Sequence, residues 1–378
     1  MQNSNSIYLD KRNDLFNKIM KNKQTVNASH SHQFTLASAN LLKFMPEIPF
    51  EKHEEIYNEI ILHNSLTHFE QLYPETLEYV TTENLSADYL QMLKTQPCVL
   101  SSFHFGTYRL FNTFLVKNKI PFTIVGPKAI LEKERENFRK MYAHGGFNEE
   151  YRFIEIESPA LGLRMLRELK GGRSVFIYFD GYRGAGANTN DEGKIQFLNE
   201  SIMARKGVAY LANAANVPLV TALSYRKNID DIRLHFFDPV MPNKNISKDQ
   251  FAHSATQLIY NKFADFLRQY PGQWEAWLYL HKSIDHTSNT EKSLQGEELN
   301  NLKIKNTDRF SFNPNRYGLF KIKEESFLFN KQLYKTYPID DSTYDILEKS
   351  SHGYIGKTEI TNNYLFTQFF DNRVLLAV

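Results

Sequence analysis

From Pro97 onward the chain alternates short apolar runs with amphipathic stretches, and this alternation constrains the fold more than any other feature. Residues 98–103 (CVLSSF) read as a buried strand. Residues 106–118 read as an amphipathic helix with Leu110, Phe111, Phe114 and Leu115 on one face. A strand over 122–125 is ended by Gly126-Pro127, a charged helix spans 128–144, and a further strand covers 153–156. Ser158-Pro159 pairs a capping residue with a first-turn proline, predicting a helix through Leu161, Leu163, Met165 and Leu166 to Gly171-Gly172. A strand over 174–179, a helix over 203–214, strands over 217–223 and 232–237 and a long helix over 250–269 complete the series. Such alternation with short links predicts an α/β fold, a central mixed sheet flanked by helices. Ligands in such sheets bind beyond the carboxyl ends of the strands. His104 and Asp180 each directly follow an apolar strand, where a side chain projects into that crevice.

The rest of the chain is organised around this domain, which is placed at 95–285. Residues 1–94 form a helical preface. They are polar and irregular up to residue 50 apart from a helical run at 36–45, with partial helical stripes at Ile56, Ile60, Ile61 and Leu66 and again over 85–93. Residues 286–306 are polar and almost free of large apolar side chains, the composition of a linker. Residues 307–378 regain apolar content and read as a small α+β module. It has strands near 310–313, 319–322 and 327–329, a helix over 340–349 with Asp341 or Ser342 near its cap, and a final helix or strand over 364–378.

Charge narrows the partners. The chain carries 45 Lys and Arg against 43 Asp and Glu, a formal net charge of +2. That is too balanced for bulk nucleic-acid binding, so no nucleic-acid partner is expected. Charge does gather locally over 128–140, which would suit a phosphate or an acidic partner protein. The one cysteine, Cys98, allows no intramolecular disulfide and sits in an apolar run as a buried thiol, in keeping with a reducing compartment. The polar N-terminus lacks the apolar core of a signal peptide, and no run of about 18 apolar residues exists. A cytoplasmic location is expected, with peripheral contact at the inner membrane left open.

Four stretches could carry chemistry. In SSFHFGTYRL (101–110), His104 ends a strand and Gly106 lets the backbone turn into a helix start whose amides could stabilise negative charge. A histidine there is either a base for a nucleophilic hydroxyl or amine, or a satisfied core side chain. In FIYFDGYRGAGANTNDEGKIQFLNESI (176–202), Asp180 precedes a long glycine-rich loop, either functional or a solvent-exposed turn. Its glycines match no dinucleotide or P-loop fingerprint. Arg139 could clamp a phosphate or be a solvated surface arginine. Trp274 and Trp277, three residues apart, read as packing over the sheet or lining an acyl channel. His30-Ser31-His32 lacks a nearby ligand set for a metal, and Ser101 and Ser102 lie outside any nucleophile elbow.

In this order the blocks resemble the lysophospholipid acyltransferase superfamily, most closely its branch of late lipid A (lauroyl and myristoyl) acyltransferases. His104-Phe105-Gly106-Thr107-Tyr108-Arg109 resembles the family's His-Phe-Gly-Asn-Trp-Glu. Arg139 with Gly145 resembles its later Arg before Gly. Asp180 followed by Phe197-Leu198-Asn199 resembles its Asp and Phe-Phe-Gly, and Val217-Pro218-Leu219-Val220 resembles its Pro-led strand. Pro271 to Trp277 resembles its closing Pro-x-x-Trp-x-Trp. The resemblance covers about half the chain and departs from the family at two points. Arg109 stands where the family has the acid of its His-x4-acid motif, and the N-terminal membrane anchor is missing.

The resemblance implies transfer of an acyl group from an acyl carrier protein or coenzyme A thioester to a hydroxyl or amine of a lipid, sugar or peptide-like acceptor. His104 would be the base and Asp180 its orienting acid or an acceptor ligand. Backbone amides near Gly106 would hold the oxyanion, and Arg109, Arg139, Phe197 and Asn199 would face the substrates. No metal or redox cofactor is implied. Arg109 equally suits a non-catalytic lipid- or carrier-binding homologue, and aminoacyl transfer on the same fold is a further alternative. The 307–378 module weakly resembles small peptide-recognition domains that bind a leader peptide as an added strand. Its other readings are a dimerisation or packing module.

Overall fold

The computed structural model describes residues 4–22, 31–144, 152–181, 192–284, 308–360 and 362–378. Its helices in chain order are α1 (Ser4–Asn22), α2 (His32–Phe44), α3 (His53–Glu70), α4 (Ala87–Thr95), α5 (Leu110–Lys117), α6 (Lys128–His144), α7 (Leu161–Lys170), α8 (Gly207–Ala215), α9 (Lys248–Gln269), α10 (Asp341–Ser351) and α11 (Asn363–Asp371). Its strands are β1 (Val80–Glu83), β2 (Val99–Ser102), β3 (Phe122–Gly126), β4 (Arg152–Glu155), β5 (Ser174–Tyr178), β6 (Glu192–Phe197), β7 (Glu200–Arg205), β8 (Leu219–Asn228), β9 (Asp231–Phe236), β10 (Arg309–Phe312), β11 (Tyr317–Ile322), β12 (Glu325–Asn330), β13 (Lys335–Ile339), β14 (Ile355–Gly356) and β15 (Leu375–Ala377). The fold is mixed α/β. Two compact units emerge: Met1–Asn22 with Asn58–Ala276, and Lys23–Tyr57 with Trp277–Val378. The segment read from sequence as one preface over 1–94 is therefore divided between the units. The stretch read as a linker, 286–306, lies outside the described residues.

The first unit is built on a seven-stranded sheet in the order β1-β9-β8-β2-β5-β3-β4. Strands β8, β2, β5, β3 and β4 run parallel, β9 is antiparallel to β8, and β1 is parallel to β9. All four residues of β2 are buried, as a central strand covered on both faces requires. On one face Leu100, Phe176 and Val220 join Phe111, Phe114 and Leu115 of α5 in the main core. On the other, Phe103 stacks on Phe263 of α9 at 4.0 Å between ring centroids. Helix α9 opens with a capping box of Ser247 and Gln250. It buries Phe251, Ala255, Ile259, Phe263 and Leu267, one every fourth residue. Helix α1 is polar overall but is anchored by two buried side chains. The Tyr8 hydroxyl donates to Glu70 Oε1 at 3.1 Å, and Arg12 pairs with Asp230 and donates to the Ile229 carbonyl. Its most buried described positions are thus a tyrosine and an arginine, beside half-buried Ile7, Leu9, Leu15, Phe16 and Ile19, and polar residues at the buried positions weaken the apolar periodicity over 4–22.

Three expected helix bounds are corrected. The predicted helix over 106–118 is shortened to α5, because residues 104–106 are hydrogen-bonded across to 273–275 instead of coiling. The predicted helix over 203–214 is a strand followed by a helix. In β7 Ile202 and Ala204 are buried in alternation against β6, and only after Lys206 does α8 begin. The predicted start at Ser158 is not met: its hydroxyl accepts from the Arg164 side chain at 2.8 Å and caps no helix amide. Helix α7 starts at Leu161 after Ala160 in the left-handed region. Strand β1 was not anticipated.

In the second unit β11, β12 and β13 form one antiparallel sheet, and β14, β10 and β15 form another. Phe310, Tyr317, Leu319, Leu328, Leu347, Phe366, Phe369 and Leu375 share its core with Tyr344. The sequence anticipated β10, β11, β12 and α10. The final segment is a helix and then a strand, and β13 was not foreseen. Helix α2 packs on β11, with Leu36 and Ala39 against Phe320 and Phe329. The approach is so close that a Cβ on Gly318 would lie 2.6 Å from Thr35. Helix α2 buries polar Thr35, Ser38 and Asn40 along with its apolar residues, so periodicity alone understates it.

A buried polar chain supports this packing. Lys331 Nζ donates to Ser38 Oγ at 2.9 Å and to the Pro314 carbonyl at 2.7 Å, and Ser38 Oγ lies 2.9 Å from His53 Nδ1. Burial pushes the Lys331 amine down to about 7, and burial first, then Lys331, pushes His53 down to about 4. Between the folded value near 7 and the ordinary lysine value, the unfolded chain binds a proton that the folded unit does not. Stability therefore rises with pH across that window by about 1.4 kcal/mol per unit, is fully present above it, and is lost as pH falls toward 7. Lys331→Met should remove that slope, which denaturant unfolding of both proteins between pH 7 and 10 will measure. An equal pH dependence in the two proteins would contradict this account.

Candidate active site

Strands β2 and β5 are neighbours, and their register sets the site. Ser102 pairs with Tyr178, and the Phe179 amide donates to the Ser102 carbonyl at 2.9 Å. Two residues beyond each of these paired positions stand His104 and Asp180, at the carboxyl ends of parallel strands. The ladder thus delivers the imidazole and the carboxylate to the same place. His104 Nδ1 lies 2.7 Å from Asp180 Oδ1, and the His104 backbone amide donates to Asp180 Oδ2 at 2.9 Å. The carboxylate side chain is 3% exposed and the imidazole 21%, so the acid is sealed while the base reaches solvent. With Nδ1 held by Asp180, Nε2 is the nitrogen available for proton exchange.

The segment 104–106 is held by more than the sheet. Phe105 and Trp274 form an antiparallel bridge, the Gly106 amide donates to the Gln273 carbonyl at 2.8 Å, and the Glu275 amide donates to the His104 carbonyl at 3.1 Å. The Gln273 side chain in turn brackets the backbone of Arg226 on β8, accepting from its amide at 2.9 Å and donating to its carbonyl at 2.6 Å. Gly106 has φ +57, and a Cβ there would lie 2.3 Å from the Ser224 carbonyl oxygen. Only glycine fits that approach. The expectation that Gly106 turns the chain straight into a helix start is corrected on this geometry. Its own amide is engaged by Gln273, and α5 begins four residues later.

Electrostatics favours a proton on His104. Burial opposes the imidazolium, but the Asp180 carboxylate beside it, through charge and hydrogen bond, together with Glu275, holds the group above its ordinary value against the lesser opposition of Arg109. Tyr178 and Tyr108 flank the ring at 4.3 Å and 4.8 Å between centroids, and burial holds both phenols protonated. Trp274 donates its indole N–H to Asp180 Oδ2 at 2.8 Å.

The other anticipated residues are placed differently. The Arg109 guanidinium pairs with Glu134 at 2.9 Å and donates to Gln71 at 2.5 Å. Burial would raise the Glu134 carboxyl, yet Arg109 beside it holds it below the usual range. Arg139 lies on α6, 65% exposed, with its guanidinium on Glu136 of the same helix. The charge read over 128–140 is largely paired within α6 in this way, as Lys128 with Glu132 and Lys140 with Glu136 also show. Phe197 is buried behind the site, 5.4 Å from Trp274 and 5.3 Å from Tyr260. Asn199 stands in the two-residue turn joining β6 to β7, after Leu198 at φ +53. Gly145 and residues 182–191 lie outside the described residues. Sequence reading missed Trp274 as a partner of Asp180 and the two flanking tyrosines. Tyr178 carried a signal, since it sits two residues before Asp180 on the same strand. Trp277 belongs to the second unit, where its carbonyl accepts from Asn40 at 2.7 Å. Among the described residues no group of three or more His, Cys, Asp or Glu side chains could hold a metal ion.

Gly106→Ala is expected to cost more than about 2 kcal/mol, from the positive φ and the forced shift of β8, as denaturant unfolding will show. Asp180→Asn should lower the His104 titration midpoint, read by imidazole NMR, because the carboxylate is the main group raising it. No known family model matches this chain, and no curated protein matches it.

Proposed function

We propose that the chain is an acyltransferase, taking an acyl group from an acyl carrier protein or coenzyme A thioester and passing it to a hydroxyl or amine acceptor. The observation that carries this reading is the 2.7 Å pairing of His104 Nδ1 with a sealed Asp180 at the carboxyl ends of adjacent parallel strands. In the reaction, Nε2 of His104 takes the proton from the acceptor O–H or N–H as that atom attacks the thioester carbonyl. The tetrahedral intermediate collapses with cleavage of the C–S bond, and the imidazolium, stabilised by Asp180, returns the proton to the leaving thiolate.

The resemblance to lipid acyltransferases becomes chemically coherent on this geometry. Asp180 takes the part of the acid that the family keeps five positions after its histidine. Arg109, the main support for a binding-only homologue, is turned to Glu134 and Gln71 rather than to Nδ1 of His104. The acceptor class includes a peptide or protein bound by residues 307–378. That module presents β13 as a sheet edge, the element that strand addition uses. No helix among the described residues is long and apolar enough to cross a membrane. A cytoplasmic protein with peripheral membrane contact is the corresponding proposal for location.

Thiol release from acyl carrier protein and coenzyme A thioesters, with and without acceptors, tests this reading. His104→Ala should lower release by about 10²- to 10⁴-fold, the range a positioned base contributes. The base must be neutral to act, so release should fall as pH drops through a midpoint above the ordinary histidine value. Asp180→Asn should move that midpoint down. Release indifferent to His104 would sink the assignment. Arg109→Glu should not rescue a dyad, since Nδ1 is already taken. Set beside Glu134, it should lower the melting temperature instead.

A further inference from the structure

Asp180 is sealed from solvent, so the direction in which its carboxylate faces is decided by the donors around it. Its Oδ2 accepts from the His104 amide at 2.9 Å and from the Trp274 indole at 2.8 Å, which leaves Oδ1 to the imidazole. The indole is itself fixed. Trp274 is buried, its ring packs at 5.4 Å on Phe197 and 5.3 Å on Phe263, and its backbone bridges to Phe105. We propose that Trp274 is a positioning residue for the His104–Asp180 pair, its indole N–H locking the carboxylate so that Nδ1 of His104 carries the proton and Nε2 stays free as the base. The indole thus helps a carboxylate from a neighbouring strand do what an acid five residues after the histidine does in the lipid acyltransferases that this chain resembles. A buried carboxylate with two donors on one oxygen has its second oxygen aimed by geometry, and the imidazole tautomer follows from that aim. Packing alone would need no N–H at this place.

The proposal rests on the acyltransferase reading only for its effect on turnover, and its physical content is tested without turnover. The chain has two tryptophans, so a ¹⁵N-tryptophan-labelled full-length sample gives two indole N–H signals. The Trp274 signal, identified by its change in Asp180→Asn, should move with pH through the same midpoint as the His104 imidazole. It should cease to do so in His104→Ala. In Trp274→Phe, which keeps a ring and removes the donor, the Nε2–H tautomer of His104 should become populated at the expense of Nδ1–H. Where thioester release is measurable, kcat of Trp274→Phe should fall about 10- to 100-fold with KM nearly unchanged, a fraction of the roughly 10⁴-fold that loss of an orienting aspartate costs. An indole signal indifferent to the His104 titration in the wild type would overturn the proposal even if Trp274→Phe fails to fold. So would an unchanged tautomer in a folded Trp274→Phe. A wild type that releases no thiol but shows the linked titrations would count against the acyltransferase reading and leave the positioning role standing.

Discussion

A carboxylate withdrawn from water has to be given donors, and the site of this protein is arranged around meeting that demand for Asp180. Two of its hydrogen bonds come from His104, through backbone and ring, and one from Trp274. Carboxylate and donors come together from three places in the chain: the end of β2 with His104, the end of β5 with Asp180 itself and the turn after α9 with Trp274. The central β2–β5 ladder brings the first two together, and the antiparallel bridge from Phe105 to Trp274 brings the third. Charge follows geometry. The sealed acid makes the imidazole more basic than usual, and on the proposed function that is what lets it take and hold a proton.

Much of this was legible before the structure. The runs 98–103 and 174–179 are apolar and strand-like on both faces, which is what central parallel strands require, and each is followed at once by a titratable residue. Their adjacency was not legible. Strands β3 and β4 intervene in sequence between β2 and β5, and nothing local in the chain tells which of the parallel strands are neighbours. The pairing of Asp180 with His104 is therefore a product of sheet order. Trp274 was legible as an aromatic anchor but not as a donor, because a sequence does not say which edge of an indole faces inward.

The places where reading from sequence went astray share a physical cause, local propensity overruled by a distant partner. Residues 203–205 look helical because Met and Ala favour helices, yet they pair with β6. Residues 106–109 look like a helix start because glycine precedes an amphipathic run, yet Gln273 claims the Gly106 amide and Glu275 the His104 carbonyl. Helix α2 looks half-polar because Ser38 and Asn40 interrupt its apolar face. Both side chains are satisfied by residues more than 230 positions away or by His53, which is invisible to any local window.

The close approach of Gly106 to β8 has a consequence for how the site is held. With no side chain at that position, the backbone of the His104 loop lies directly against the backbone of Ser224 and Tyr225, and Gln273 ties both to Arg226. A loop seated in this way is fixed by backbone contacts rather than by the ends of flexible side chains. His104 is thereby tied into the same hydrogen bonds that join β8 to the turn after α9.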